Sequence, residues 1–202
     1  ITAGVIMNTL LAFAIFYTIN LVEGKQKMET NTVGYVTPNS IAVKHGIQPG
    51  SQIISVNGNP VNYWDDVRGY VFIEAMGEDV TLKVKTNGAE KVIFIPKSEL
   101  VDLNERSFGI FPAQMEPMIQ QVAETGPAKD VGLQKGDVIT EANGNPITHS
   151  QQFVDIIKGN AGKDIAVKWN RNGSMMNGIV KPAADSTIGI GIGKYTGTVK
   201  TI

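Results

Sequence analysis

The chain has no cysteine, two histidines (His45 and His149) and almost no excess of either charge, with 18 basic against 19 acidic residues. The missing thiols exclude a disulfide framework and any cysteine nucleophile. Each histidine stands without a glutamate at His-Glu-x-x-His spacing, so the helix-borne zinc site of a metalloprotease is not in these 202 residues. No Gly-x-Ser-x-Gly elbow is present, which removes the nucleophile turn of the serine hydrolases. A net charge of −1 leaves no electrostatic basis for holding nucleic acid or an anionic membrane surface. His45, isolated just before Gly46, is expected to play an ordinary surface role.

What is there is a duplication. Residues 46–61 read GIQPGSQIISVNGNPV and residues 132–147 read GLQKGDVITEANGNPI. In each copy a glycine (Gly50, Gly136) precedes a short apolar run, where a loop needs positive φ. Asn57-Gly58 and Asn143-Gly144 then predict tight hairpins, because both central residues of a type I′ turn need φ > 0. Pro60 and Pro146 confine the strand just beyond each turn to edge pairing. Two related units of about 80 residues each are near the lower size limit for burying their own cores.

Before them, residues 1–22 hold no charge, and the first charged residue is Glu23. About 20 such residues suffice to cross a bilayer as a helix, so a transmembrane helix is expected here. With no basic leader and no initiating methionine, the chain reads as starting inside a larger protein. Asn8 is the odd residue of that helix; it either hydrogen-bonds to a neighbouring helix or marks a substrate path.

Within the first unit, Val33–Thr37 predicts a strand and Ile41–His45 a helical turn stopped by Gly46. Asn62 is placed to cap a helix whose face is Trp64, Val67, Tyr70 and Val71. Two strands flank Asn87-Gly88, and Ser107-Phe108-Gly109-Ile110 reads as a further short strand. The second unit repeats the plan from Met118. Thr148 is the expected cap, with Gln151 at the capping-box position, of a helix whose face is Phe153, Ile156 and Ile157. Strands surround Asn172-Gly173, and Ile188–Ile192 closes the copy with alternating glycines.

A small residue (Ala42, Ala128) before Gly-[Ile/Leu]-x-x-Gly, a short strand and Asn-Gly-x-Pro-[Val/Ile] together resemble the signature of circularly permuted bacterial PDZ domains. Two in tandem after a hydrophobic segment resemble the region of the site-2 protease family, intramembrane zinc metalloproteases of the regulator of sigma-E protease type. Ala3-Gly4-Val5-Ile6-Met7-Asn8 is similar to an Ala-Gly-Pro-x-x-Asn stretch of that family's membrane helix, with Val5 in place of proline.

The resemblance implies an α+β, mainly β fold: a transmembrane helix (1–22), a linker (23–32), PDZ-like units at 33–112 and 113–194, and a tail (195–202) leading toward another membrane segment. It implies peptide grooves built from Ser107, Phe108, Gly109, Ile110, Val67 and Val71 in the first unit, and from Ile190, Gly191, Ile192, Phe153 and Ile157 in the second. The alternative for the apolar members is that they only pack the core. By resemblance the parent is a zinc metalloendopeptidase of the bacterial inner membrane, with zinc held outside this chain. The extracytoplasmic PDZ pair would filter or recognise trimmed membrane-protein substrates, or their C-terminal peptides, at the lipid bilayer. Two other readings stay open: the PDZ tail of a trypsin-like envelope serine protease, and a non-enzymatic membrane-tethered scaffold. The ten residues of 23–32 leave no room for a protease domain before the first unit.

Overall fold

The computed structural model describes residues 2–23, 25–101 and 103–201, with the side chains of residues 2, 3 and 19–23 left aside. The uncharged N-terminal stretch is one helix, α1 (Thr2–Glu23). Its described side chains, 4–18, are all exposed, Asn8 among them. Thr9 and Thr18 return their hydroxyls to the carbonyls of Val5 and Ala14 at 2.9 and 2.7 Å, so neither needs an outside partner. Among the described residues no helix is long and apolar enough to cross a membrane; the ends of the 1–22 span lie outside the described side chains.

A short strand, β1 (Gln26–Met28), comes next, where the sequence suggested only a polar linker. The first unit then comprises β2 (Val33–Val36), α2 (Ile41–Lys44), β3 (Gln52–Val56), β4 (Asn59–Pro60), α3 (Trp64–Gly69), β5 (Val80–Thr86), β6 (Ala89–Ile95), α4 (Glu105–Phe108) and β7 (Ile110–Pro112). A π-helical turn, Tyr70–Glu74, prolongs α3. The second unit comprises β8 (Met115–Val122), α5 (Pro127–Asp130), β9 (Val138–Ala142), β10 (Asn145–Pro146), α6 (Ser150–Gly159), β11 (Ile165–Arg171), β12 (Ser174–Val180) and β13 (Ile190–Tyr195). The last strand, β14 (Val199–Thr201), pairs with β1, Gln26 opposite Thr201.

The first unit holds a sheet of order β4-β3-β5-β6 and a separate β2-β7 pair. The second joins the corresponding strands into one sheet, β12-β11-β9-β8-β13, with β10 on β9. All four Asn-Gly turns have positive φ at both residues, for example 48° and 83° at Asn57-Gly58 and 49° and 79° at Asn143-Gly144, as type I′ hairpins demand.

Each unit closes around its own core. Ile53, Val56, Val67, Val71, Leu82 and Ile95 are fully buried in the first; Ile119, Ile139, Phe153, Ile165 and Trp169 do the same in the second. Burying one such side chain contributes about 1.5–3 kcal/mol.

Ser51 is one of the buried polar positions at which the copies differ. In the first, Ser51 Oγ meets Thr86 Oγ1 at 2.7 Å. In the second, the equivalent pair is Asp137 and Arg171, joined by two 2.7 Å bonds with Asp137 only 1 % exposed. The amide of Gln134 donates to the same carboxylate at 2.8 Å.

The units join through Ala113 and Gln114, the latter at φ 64°. Gly34 makes the junction possible: a Cβ there would lie 2.5 Å from Ala113 Cα and 2.7 Å from the Pro112 carbonyl oxygen. Across the junction Tyr35 donates its hydroxyl to Asp155 Oδ2 at 3.1 Å. The Tyr35 ring stacks on His149, centroids 5.4 Å apart.

Candidate functional site

The open site lies in the second unit, between β13 and α6. His149, not Thr148, caps α6: its Nδ1 accepts the Gln151 amide at 3.0 Å, while the Thr148 amide donates to the Gln152 side chain. From that start, Phe153 and Ile157 fall at i and i+4 on one face. They face Ile188, Ile190 and Ile192 across a groove of about 550 Å³, with Gln121 behind and Lys158 at the rim. Ile190, Gly191, Ile192, Phe153 and Ile157, grouped by sequence reasoning, all line this one cavity.

The loop entering β13 is prepared from within. Asp185 Oδ1 accepts from the Thr187 amide at 3.1 Å and its hydroxyl at 2.8 Å. Gly189 then takes φ 78°. Its carbonyl accepts the Ala123 amide at 2.8 Å, yet the amides of Ile188 and Gly189 donate to nothing in the chain among the described residues. Two unspent N–H groups at a positive-φ turn, opening onto an apolar groove, form a cradle for an anion. Because β13 ends its sheet, an extended peptide can add to its free edge.

The first unit's corresponding loop is spent. Gly109 occupies the place of Gly189, its carbonyl accepting Thr37 N–H at 2.9 Å. Instead of the expected strand, Ser107 and Phe108 belong to α4, which Asn104 caps by accepting the Arg106 and Ser107 amides at 3.0 Å each. The turn consumes the amides of Phe108 and Gly109, which donate to the carbonyls of Asn104 (3.0 Å) and Glu105 (2.9 Å). Phe108 is buried edge-on against Phe72. Gly109 itself abuts Ser40, leaving no space for a Cβ. Val67 and Val71, expected as groove wall, are wholly buried in the core, and Ile110 starts β7. Tyr63, not Asn62, occupies the N-cap position of that helix and makes no side-chain cap bond; the Asn62 and Tyr63 amides both donate back to Asp66 Oδ2.

A smaller cleft of about 230 Å³ runs between α3 and β7. It is bounded by Trp64, Arg68 and Phe72 on one side and Ile110 and Phe111 on the other, and it reaches Ser150, Gln151 and Ile192 of the second unit. Beside it His149 is 5 % exposed, with Nε2 on the Pro112 carbonyl at 2.9 Å. Since Nδ1 accepts a backbone amide, the proton sits on Nε2 and the ring is neutral. Burial lowers the His149 pKa, outweighing the Pro112 bond and nearby Asp155, which raise it. Burial, then Asp155, raises that of Tyr35. These contacts carried no sequence signal, because the partners are 37 and 120 residues apart.

Zinc does not fit here. Among the described residues no three His, Cys, Asp or Glu side chains could share a metal. His149 has both nitrogens engaged, and His45 pairs with Glu99 at 3.1 Å beside Lys44.

The fold and the groove define PDZ domains, and the PDZ family models match residues 16–85 and 118–171. Beyond that class, the chain is homologous over its whole length to the site-2 protease zinc metalloproteases. It is 30 % identical to the regulator of sigma-E protease of Salmonella typhimurium, aligning over 100 % of this chain and 46 % of that protein. It is 29 % identical to a putative zinc metalloprotease of Neisseria meningitidis, over 90 % of this chain and 42 % of that one. A solved PDZ domain of an SdrC-like protein from Listeria monocytogenes is 26 % identical, covers 38 % of this chain and 86 % of its own, and has a TM-score of 0.35. The chain thus spans just under half the length of these protease relatives.

Proposed function

We propose that this chain is the membrane-anchored PDZ pair of a site-2-type zinc metalloprotease acting in regulated intramembrane proteolysis. The pair sits on the extracytoplasmic side of the bacterial inner membrane, with α1 in the bilayer, and filters substrates already trimmed by another protease. The observation that carries this reading is the open second groove, with two unspent amides at its head, in a chain homologous to zinc metalloproteases along its whole length.

A terminal carboxylate accepts from the Ile188 and Gly189 amides, with Lys158 near the charge. The last side chain enters the apolar space between Phe153, Ile157 and Ile190. The chemistry favours a substrate ending in an aliphatic residue, which buries without leaving a polar group unpaired. Two small domains on a short tether also limit access by size. Asn8 on α1 is placed along the substrate's membrane path, and the zinc that cleaves belongs to parts of the parent outside this chain.

The test is calorimetric titration of the full chain in detergent micelles with paired peptides ending in a free carboxylate or an amide. The free acid should bind at least about tenfold tighter, because an amide cannot supply the charge to the two N–H groups. Equal affinity would overturn carboxylate recognition, and absence of binding by both would leave only the size filter.

A further inference from the structure

We infer that β12, an edge strand of the second unit's sheet, pairs antiparallel with β12 of a second copy of this chain. The two sheets then join into one across a two-fold axis at Asn177.

β12 stands at one end of its sheet and β13 at the other, and among the described residues no strand covers its outer side. It is seven residues long, Ser174–Val180, and follows β11 from end to end without a bulge. It holds no charge and no proline. Such an edge is normally guarded by lysine, proline, a bulge or a covering segment, because its unpaired N–H and C=O groups recruit another strand. The first unit shows the guarded form. There β6 takes the same place after the same kind of Asn-Gly turn, but it carries Glu90 and Lys91 where β12 has Met175 and Met176.

The register follows from the turn. A two-residue hairpin, with φ 51° at Asn172 and 88° at Gly173, makes Arg171 and Ser174 a hydrogen-bonded pair, and alternation adds Trp169–Met176, Val167–Gly178 and Ile165–Val180. The backbone groups of Met175, Asn177 and Ile179 therefore point away from β11. Turned about a two-fold axis through Asn177, they meet their own counterparts: Met175 faces Ile179 of the second copy, Asn177 faces Asn177, and Ile179 faces Met175. These side chains share the outer face of the sheet, where Met175 is 58 % and Ile179 65 % exposed. Pairing covers both apolar side chains of each copy and lets the two carboxamides bond to each other.

On the core face Met176 falls opposite Gly178 of the second copy, a long side chain against none. Gly178 is fixed as glycine by its own unit, since a Cβ there would collide with Val131. Lys168, beside Asn177 on the outer face, is already neutralised by Glu141 at 2.9 Å. The same operation on β6 would set Glu90 against Phe94 and Lys91 against Ile93, burying charge without a partner. A strand complementary to itself is what an isologous contact requires, so the occupant is a second copy. The peptide groove lies between β13 and α6, at the far end of the same sheet, and stays open in both copies.

The test is sedimentation velocity of the full chain in detergent micelles, in which wild type should pass from monomer to dimer over about 5–200 μM. M175E combined with M176K copies the first unit's guarded edge at two exposed positions and should weaken association at least about tenfold. Its melting temperature at dilutions where wild type is monomeric should not change. The absence of native cysteine allows a second probe. N177C should be joined to its copy by a short bismaleimide, because Cα atoms of a hydrogen-bonded pair lie about 5.5 Å apart, whereas V92C, at the matching place on β6, should not. A wild type that stays monomeric overturns the pairing. So does an equally strong dimer in M175E with M176K, which would assign the contact to another surface such as α1, or cross-linking through V92C alone, which would assign it to the first unit.

Discussion

His149 holds the two PDZ units together only as a neutral ring, and acid should release it. Its Nδ1 accepts the amide that starts α6 and its Nε2–H donates to Pro112 of the first unit. Protonation places a hydrogen on Nδ1, facing the Gln151 N–H, and the cap is lost. Replacing His149 by alanine removes a helix cap worth about 1 kcal/mol. It also leaves the Pro112 carbonyl without its donor at a buried junction, about 1–3 kcal/mol. Together these come to about 2–4 kcal/mol, divided between the second unit's stability and the junction. Asparagine, short enough to cap but not to reach Pro112, should restore only the first share.

The sign with pH is set by the lowered pKa. The contribution is fully present above the ordinary histidine value of 6.5 and is lost as pH falls through the lower folded value. Asp155, Tyr35 and Arg106 are the titratable or charged groups around the junction; Asp155 opposes the shift. Denaturant melts of wild type and H149A between pH 7.5 and 5 should converge toward the acid end. Small-angle scattering should show wild type loosening over the same interval. A His149 resonance titrating at or above 6.5, or a constant gap between the melts, would refute this account.

R171A leaves Asp137, 1 % exposed, without its cation and should cost about 3–5 kcal/mol in chemical denaturation. The double change D137S with R171T copies the first unit's Ser51–Thr86 pair and should recover most of that loss. G34A forces a Cβ against the Ala113 and Pro112 backbone; a loss of more than about 2 kcal/mol is expected, with the units' relative orientation disturbed in scattering. T37V deletes a buried hydroxyl that has no partner among the described residues and should raise stability by about 1 kcal/mol in thermal melts.

Much of the architecture could be read from local chemistry. Four of the five Asn-Gly pairs form tight hairpins, the fifth, Asn177-Gly178, lying inside β12, and the repeated Gly-x-x-x-Gly stretch exposes the duplication. The second groove was also legible, because Phe153 and Ile157 sit one helical turn apart and the glycine run 188–193 can hardly be anything but a loop and edge strand. The first groove was not. Ser107-Phe108-Gly109-Ile110 has the β-propensity of a strand, but Asn104 three residues before Ser107 makes a reciprocal cap and pulls the segment into a helical turn. The helix caps slipped by one residue for a similar reason: His149 had a second bond across the junction to favour it over Thr148. Contacts made only after two units meet, such as Tyr35 with Asp155, leave no periodicity to find. The strands β1 and β14 were missed because each is three residues long and meaningful only beside the other.

That last pairing has a mechanical consequence. With Gln26 opposite Thr201, the polypeptide enters and leaves the pair of domains through a gap of about 5 Å, the spacing of neighbouring strands. This two-ply exit is fastened to α3, where Lys27 pairs with Asp66 at 3.1 Å and the Met28 amide donates to Asp65 at 3.1 Å, so the first unit is held close against whatever is joined on either side. The same geometry makes residues 26–201 a portable cassette: spliced into a tight surface turn of an unrelated carrier, it would ask its host to open no wider than a hairpin.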